Sequence, residues 1–357
     1  MARSGLGRAG FRPIRGTEGA TKVRSILLGA TLVILQVLSM STSSADQNAK
    51  KPGTFEMLRW GYARDASAGY YWNCQSMPEA KLSQCWVAIP GCDGSTLETF
   101  EASRRHARDS ATAYFYGAKL EGSDSASFQA LNDNYAKDKT GGYHFGDRVV
   151  GSDGPTFEAL NALYAQDRTS TYCRGKRMDE ADRASFKALG KGAFAKDARH
   201  VYAWDGNTDT VAIISADPQT FEPLEDSDYG RDSRHAFYSQ SVLAEEPKSL
   251  ELVFPDKRNP WYRADYARDR SGVYWLGRKV LGADSATFRL FDTNFAADKA
   301  SVFLRGKLVE GVDRPSFRLL EPEIKVGNFY ACAEDNSHWY SVSSSGVEKR
   351  RKPRKSK

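Results

Sequence analysis

The sequence predicts an all-β protein built as a tandem array of short repeated units. Three patterns carry the prediction. An aromatic residue, a small residue, any residue and an aspartate recur about every 29 residues, and a second aromatic residue follows that aspartate five positions later. A third pattern, Asp-x-x-Ser/Thr-Phe with an apolar residue three positions further on, closes each unit. The length of 357 residues and the 40% hydrophobic content allow a sizeable core and exclude a chain that is disordered throughout.

The recurring aspartates set the register of the repeats. They are Asp65, Asp109, Asp138, Asp167, Asp197, Asp232, Asp269 and Asp298. The aromatic residues that follow them are Tyr70, Tyr114, Tyr143, Tyr172, Tyr202, Phe237, Tyr274 and Phe303. Closing motifs such as Asp124 to Phe128 and Asp153 to Phe157 separate the copies. We count eight full units and a degenerate ninth between Tyr330 and Tyr340.

Each unit is predicted to contain two or three strands and a short helical turn. The segment Tyr-Ala-x-Asp predicts a strand, and its aspartate opens a turn because the carboxylate can bond backbone N–H groups two residues on. An aromatic run such as 114–116 predicts the second strand, and Gly117 predicts the next turn. The closing aspartate is expected to cap one helical turn.

No such unit could bury its aromatic face alone, so stacked neighbours are expected to build one continuous core. The sequence favours an elongated or curved array. A closed propeller-like ring is the alternative, although a repeat of 29 residues is short for a blade of about 40.

The N-terminal residues 1–45 are predicted to be a signal peptide. Basic residues precede an apolar run from about Ile26 to Met40, and small residues follow up to a cleavage site after Ala45. An uncleaved membrane anchor is the alternative, but the run is shorter than the ~20 residues of a spanning helix. Residues 46–61 are interpreted as a linker, 62–344 as the repeat domain and 345–357 as a basic disordered tail. The mature chain is expected in the periplasm, on the cell surface or secreted.

The net charge of +6 is unevenly distributed. Residues 1–45 contribute +5 and residues 349–357 contribute +7, which leaves −6 for the 303 residues between them. The array itself is therefore mildly acidic, and any acidic partner is expected to bind the C-terminal end.

That C-terminal end is the predicted binding segment. Its cations are Lys349, Arg350, Arg351, Lys352, Arg354, Lys355 and Lys357. Such a run is typical of a disordered, solubilising tail. The functional alternative is adhesion to an anionic surface such as membrane headgroups, an envelope polymer or nucleic acid, without a specific nucleic-acid target.

Five cysteines are present, and an oxidising compartment favours disulfides between clustered ones. Cys74, Cys85 and Cys92 lie in one insertion, where we expect one bridge. A second bridge is hypothesised between the remaining cysteine of this cluster and Cys332. Their spacings match no common zinc signature, and Cys173 is isolated.

The histidines have mainly structural interpretations. His200, His235 and His338 each stand three residues after an aspartate of the repeat pattern. They are expected to be exposed turn residues. The alternative is a weak metal or anion site formed by neighbouring turns. His106 replaces a repeat aromatic and is expected in the core, and His144 is expected on the strand face opposite Tyr143.

These residues resemble the DKNYY family of bacterial repeat proteins. The resemblance is strongest at Asp133-Asn134-Tyr135-Ala136-Lys137-Asp138-Lys139 and extends over most of residues 62–340. It implies an exported or surface protein without an assigned biochemical activity, and it carries over no catalytic residue. The chain departs from the family pattern at the cysteine-bearing insertion, at residues 254–263 and in the degenerate last unit.

The predicted function is an exported, non-catalytic binding or scaffold module at the bacterial envelope, with an unknown envelope protein or polymer as its partner. Tyr116, Tyr143, Phe145, Tyr274 and Trp275 are candidate contacts, although core packing is the stronger explanation for each of them. No nucleophile motif, phosphate-binding glycine loop, metal site or cofactor site is predicted. The rival hypothesis is an envelope hydrolase, for example glycan-acting, with an unrecognised pair of carboxylates.

Overall fold

The computed structural model describes residues 56–73, 85–190, 192–225, 227–244, 247–255, 264–326, 329–343 and 346–353. All of them belong to the compact unit Lys51–Lys357. The predicted signal peptide, most of the linker and Cys74 lie outside the described residues. No helix among the described residues is long and apolar enough to cross a membrane.

The described residues form nine four-stranded antiparallel sheets that follow one another along the chain. The first three sheets contain β1 (Glu56–Met57), β2 (Tyr62–Arg64), β3 (Gly69–Trp72), β4 (Trp86–Ala88); β5 (Glu98–Thr99), β6 (His106–Arg108), β7 (Ala113–Phe115), β8 (Ala118–Leu120); and β9 (Gln129–Ala130), β10 (Tyr135–Asp138), β11 (Gly141–His144), β12 (Asp147–Arg148). Each is a meander in which strands adjacent in sequence pair with each other.

The middle three sheets repeat this order. They contain β13 (Glu158–Ala159), β14 (Tyr164–Gln166), β15 (Thr171–Cys173), β16 (Lys176–Arg177); β17 (Lys187–Ala188), β18 (Phe194–Lys196), β19 (Val201–Asp205), β20 (Thr210–Ile214); and β21 (Glu222–Pro223), β22 (Tyr229–Arg231), β23 (Ala236–Tyr238), β24 (Ser241–Ala244).

The last three sheets contain β25 (Glu251–Val253), β26 (Tyr266–Asp269), β27 (Gly272–Trp275), β28 (Arg278–Lys279); β29 (Arg289–Leu290), β30 (Phe295–Ala297), β31 (Val302–Leu304), β32 (Lys307–Leu308); and β33 (Arg318–Val326), β34 (Phe329–Glu334), β35 (His338–Ser343), β36 (Gly346–Arg351). Short 3₁₀ turns lie at Arg59–Gly61, Ser125–Ser127, Gly154–Thr156, Pro247–Ser249 and Arg314–Ser316. The predicted all-β tandem architecture is confirmed.

The structure shifts the boundary of the repeat relative to the sequence prediction. The closing motif was predicted to end a unit, but the residues after its phenylalanine form the first strand of the following sheet. Thus β9 follows Phe128 and pairs with β10. The unit therefore has four strands, and it begins at the closing aspartate. The predicted helical turn is a single 3₁₀ turn at Ser125–Ser127, and the Asp124 side chain caps it by accepting from the Ser127 amide.

Among the described residues the core consists of eight clusters, each between two consecutive sheets, so the prediction of one continuous core is wrong. Alternate residues of a strand point to opposite faces. Tyr135 packs with Phe157 of the next sheet, whereas its neighbour Ala136 packs with Phe115 of the preceding sheet. The backbone of each sheet therefore separates two apolar layers. The alanine leaves room for the aromatic ring of the preceding sheet, which explains the aromatic–small pair in the repeat.

Where the first repeat aromatic is a tyrosine, its hydroxyl ties that sheet to the next. Tyr135 Oη donates to the carbonyl of Leu163 at 2.6 Å, and Tyr164 Oη donates to that of Ala193 at 2.7 Å. Both rings are fully buried. These bonds satisfy backbone groups that stacking removes from water, and they cross from one repeat to its neighbour.

The ninth unit is a complete sheet, so the prediction that it is degenerate is wrong. Asp335 and Tyr340 keep the spacing of five residues, and Cys332 occupies the slot of the first aromatic. Among the described residues no later sheet needs a tyrosine hydroxyl from this slot, and the Cys332 thiol instead donates to the carbonyl of Tyr340.

Candidate functional site

Each repeat aspartate is the acceptor of a local hydrogen-bond network. Asp138 Oδ1 accepts from the amides of Thr140 and Gly141 at 2.7 and 3.1 Å. Its Oδ2 accepts from Tyr143 Oη at 2.6 Å and from the amide of Asp124 at 2.8 Å. One carboxylate thereby closes the hairpin turn, holds the following tyrosine and anchors the closing motif.

The same arrangement recurs along the array. The amides two and three residues on also bond Asp65, Asp109, Asp167, Asp197, Asp232, Asp269, Asp298 and Asp335. Burial alone would raise the pKa of Asp167, but hydrogen bonds from Asp153, Thr169 and Tyr172 lower it to about 2. A general acid in a glycosidase needs a raised pKa, whereas this network stabilises the ionised carboxylate.

The serine or threonine of the closing motif is also part of the network. Thr156 Oγ1 donates to Asp153 Oδ2 at 2.5 Å and accepts from the amide of Arg168 at 3.0 Å. Because Arg168 directly follows the repeat aspartate, the closing motif and the hairpin turn of one sheet are joined twice. The three sequence patterns thus form one hydrogen-bonded network centred on the repeat aspartate.

Two copies lack one donor of this network. Phe237 and Phe303 replace the second tyrosine, so no hydroxyl reaches Asp232 or Asp298 from that position. Both carboxylates keep their turn amides and the amide of the closing aspartate.

The candidate aromatic contacts separate into two groups. Tyr143 and Tyr274 are only 2% and 4% exposed, and their hydroxyls donate to repeat aspartates, so core packing is confirmed for these two and they are not ligand contacts. Tyr116 is 45% exposed, and Phe145 and Trp275 are half-buried. The alternation of side chains along a strand could not distinguish buried from accessible aromatic residues, because the two inner strands of each sheet are covered on both faces.

The accessible aromatic residues join arginines in one surface feature, here called the aromatic–arginine ladder. It consists of Tyr71, Tyr116, Arg105, Phe145, Arg174 and Trp204, from the first five sheets. The ring centroids of Tyr71 and Tyr116 lie 6.0 Å apart in an edge-on arrangement. The Arg105 guanidinium lies 5.4 and 5.3 Å from the ring centroids of Tyr116 and Phe145.

Arg174 continues the ladder. Its guanidinium lies 5.4 and 5.2 Å from the ring centroids of Phe145 and Trp204, and its Nε lies 2.7 Å from Asp209 Oδ1. The indole Nε1 of Trp204 also donates to Asp209 Oδ1, at 3.2 Å. The ladder therefore offers partly exposed aromatic rings and guanidinium groups whose orientation is set by neighbours.

A strained turn positions the ladder residues. Tyr116 and Gly117 both have positive φ, 51° and 76°, and connect β7 to β8 as a two-residue hairpin turn. A Cβ on Gly117 would lie 2.7 Å from the Cβ of Tyr71 in the preceding sheet, so only glycine allows this approach. Tyrosine, in contrast, is unusual at positive φ and costs of the order of 1–2 kcal/mol. Phe145 and Arg174 occupy the equivalent position with φ of 51° and 49°.

The predicted basic tail is a strand over much of its length. Gly346–Arg351 forms β36, which pairs with β35 along all six residues, so the prediction of disorder is wrong for this segment. Lys349 Nζ donates to the carbonyl of Glu310, and Arg350 Nη1 donates to that of Val326. Lys352 Nζ lies 2.7 Å from Glu334 Oε2. Arg354, Lys355 and Lys357 lie outside the described residues.

The cysteines differ from the prediction. Cys92, Cys173 and Cys332 are free, so the hypothesised bridge to Cys332 is contradicted. Cys92 packs in the first inter-sheet cluster, and Cys332 holds the aromatic slot of the last unit. The bridge expected within the insertion involves residues that include Cys74, which is outside the described part, and it stays a prediction.

The histidines are structural in the described residues. His106 is completely buried, as predicted; its Nδ1 lies 2.7 Å from Ser103 Oγ, and burial lowers its pKa to about 3. Burial similarly lowers the pKa of His144 to about 3. His200, His235 and His338 donate their backbone amides to repeat aspartates. The part of the chain that the structure describes contains no group of three or more metal-ligating side chains.

Comparison with known proteins identifies a family. The family described as the DKNYY family matches residues 47–176 and 164–344, which together cover most of the chain and overlap in the fourth sheet. No curated protein and no solved structure matches.

Proposed function

Because the chain belongs to the DKNYY family of repeat proteins, we propose that it is an exported, non-catalytic binding or scaffold protein of the bacterial envelope. In this proposal the aromatic–arginine ladder carries the ligand. The supporting observation is that the repeat aspartates and the ladder residues have different environments. The repeat aspartates are committed to internal hydrogen bonds, while the ladder places aromatic and guanidinium groups where a partner can reach them.

The chemistry of the ladder favours an extended ligand that spans several repeats. Aromatic rings bind apolar faces of sugars or side chains, and guanidinium groups bind carboxylates or phosphates. Each arginine is held between two rings, so a bound ligand would meet a preorganised donor and lose little side-chain entropy. An envelope polymer or an extended protein segment has this chemistry.

The test is retention of the mature chain, from Asp46 onward, on an isolated envelope fraction. Tyr116→Ser is expected to reduce retention several-fold because it removes the exposed ring and one side of the Arg105 contact. Tyr330→Ser is the matched control. Tyr330 is 55% exposed and also carries a cation, with Lys325 Nζ 5.5 Å from its ring centroid, but it belongs to the last sheet. Equal retention of both variants and the parent chain would contradict the ladder as the binding surface.

Export and the absence of catalysis have separate tests. N-terminal sequencing of the protein recovered from the envelope is expected to begin near Asp46, and an intact Met1 in the cytoplasm would contradict export. Asp138→Asn distinguishes the binding protein from the rival hydrolase. We expect loss of stability together with loss of binding, whereas a stable variant that no longer hydrolyses envelope glycan would favour the enzyme.

A further inference from the structure

Strand β36 differs from other edge strands of the described sheets. Natural sheets protect their edges with very short or bulged strands, or with charged side chains that exclude like-charged partners, because unpaired backbone groups attract other chains. The other edge strands here have two to five residues, except for β33 with nine, whose register is interrupted between Leu319 and Ile324. Strand β36 has six residues, and its pairing with β35 shows no register shift.

The outer edge of β36 presents a regular set of backbone groups. The amide of Lys352 donates inward to the carbonyl of Ser337 at 2.7 Å. Because inward and outward groups alternate along an antiparallel strand, Val347, Lys349 and Arg351 direct their N–H and C=O groups away from β35. This alternation is the pattern that an added strand requires.

The side chains at this edge select the charge of a partner. Lys349 and Arg351 are exposed, and both belong to the set with outward backbone groups. The Lys349 ammonium bonds a neutral carbonyl, which leaves its charge uncompensated by that contact. A second copy of this strand would place cations opposite cations, which is destabilising, whereas acidic side chains opposite them would form favourable cross-strand pairs.

We propose that β36 accepts an extended acidic segment of another protein as a fifth strand of the last sheet. The proposal goes beyond the proposed function, because the ladder lies in the first five sheets and takes its ligand through side chains. Here the backbone provides the binding geometry, and Lys349 and Arg351 provide the preference for acidic residues.

The experiment uses the full mature chain and two labelled eight-residue peptides with alternating glutamate and threonine. The second peptide is N-methylated at every other residue, so it keeps the charge but loses the N–H groups of one edge. Fluorescence anisotropy at low ionic strength is expected to give an affinity for the first peptide at least roughly tenfold higher, since several backbone hydrogen bonds are lost together. Equal affinities would overturn strand addition and indicate a general anion-binding surface, such as one for membranes or nucleic acid.

Variants of the protein locate the site. Lys349→Glu combined with Arg351→Glu is expected to weaken binding of the first peptide roughly tenfold. Arg278→Glu combined with Lys279→Glu makes the same charge change on the short edge strand β28 and is expected to leave binding unchanged. Equal weakening by both pairs would overturn the assignment to β36.

A proline substitution separates backbone from charge. Lys349→Pro and Lys349→Gln both lose the ammonium, but only proline removes the outward N–H group, so only proline should abolish binding. Thermal unfolding of each variant reports whether the last sheet remains intact, and the methylated peptide needs no change of the protein. Tyr116→Ser is expected to leave peptide binding unaltered, so failure here and failure of the ladder proposal are distinguishable.

Discussion

The Tyr172 hydroxyl provides the most direct test of the aspartate network. It donates to Asp167 Oδ2 at 2.8 Å, and both side chains are only 1% exposed. Tyr172→Phe removes this donor while it keeps the ring that packs on Phe157, at a centroid distance of 5.7 Å. The variant therefore tests the hydrogen bond with little change in apolar packing.

The expected loss of stability is about 2 kcal/mol, since a hydrogen bond to a charged group contributes about 1.5–3 kcal/mol. The loss should depend on pH. Asp167 has a pKa of about 2 in the folded protein, below its ordinary value of 3.8. Its ionised form therefore stabilises the fold above about pH 4, and this contribution disappears as the pH falls toward 2. The difference between Tyr172→Phe and the parent chain should be largest at pH 7 and smaller at pH 2.5.

Two measurements check this expectation. Urea unfolding followed by tryptophan fluorescence at both pH values gives the stability difference, and hydrogen exchange at the Thr169 and Ser170 amides reports local opening even if the array does not unfold in one step. Tyr116→Phe is the control and should change stability by less than about 0.5 kcal/mol. Two results would refute the idea that the ionised Asp167 carboxylate stabilises the fold through the Tyr172 hydroxyl. One is an unchanged urea midpoint for Tyr172→Phe at pH 7, and the other is an equal loss of unfolding free energy at both pH values.

Three further outcomes follow from the same structure. Phe303→Tyr should stabilise the protein by about 1 kcal/mol in urea unfolding, because its hydroxyl would reach Asp298 as in the other repeats; a loss of stability would show that this repeat is too tightly packed. Gly306→Ala should destabilise it by more than about 1 kcal/mol, because a Cβ would lie 2.8 Å from that of Trp275 at a φ of +76°; unchanged thermal unfolding would contradict the close approach of the sheets. Cys173 is 3% exposed, and burial raises its pKa to about 12, so a thiol reagent at pH 8 should label it only after unfolding, and rapid labelling of the folded protein would refute its burial.

The sequence predicted the repeats well because their residues make local contacts. Asp138 bonds amides two and three residues on and a hydroxyl five residues on, so its partners stand at fixed spacing in the sequence. The prediction that the closing aspartate caps its turn is confirmed at Asp124, but Asp153 and Asp313 make no such side-chain cap bond. Recurrence at 29 residues then indicated that neighbouring units stack.

The missed features have identifiable physical reasons. The first strand of each sheet has only two residues in most units, too few to show an alternating pattern, so it was not separated from the closing motif. The ninth unit was judged degenerate because Cys332 occupies the aromatic slot, although Asp335 and Tyr340 retain the spacing. That spacing was the available signal for a complete last sheet.

The basic C-terminal segment illustrates how context changes an interpretation. A run of cations predicts disorder because like charges repel. In the structure, pairing with β35 provides backbone hydrogen bonds, and Lys352 is placed beside Glu334. The paired positions run from Ser343 opposite Gly346 to His338 opposite Arg351, and Glu334 lies 18 residues before Lys352. The cation run itself contains no pattern that indicates this pairing.

The sequence by itself determined the class of fold, the repeat length and the turn role of the aspartates, because these depend on contacts within a few residues. Only the tertiary structure decided which aromatic side chains are accessible. Tyr143 and Tyr116 occupy similar aromatic stretches, yet one is buried against an aspartate and the other is exposed on a strained turn. The ladder arises because stacked sheets bring together residues of successive repeats, and β36 is an edge strand because, among the described residues, the last sheet pairs it only with β35.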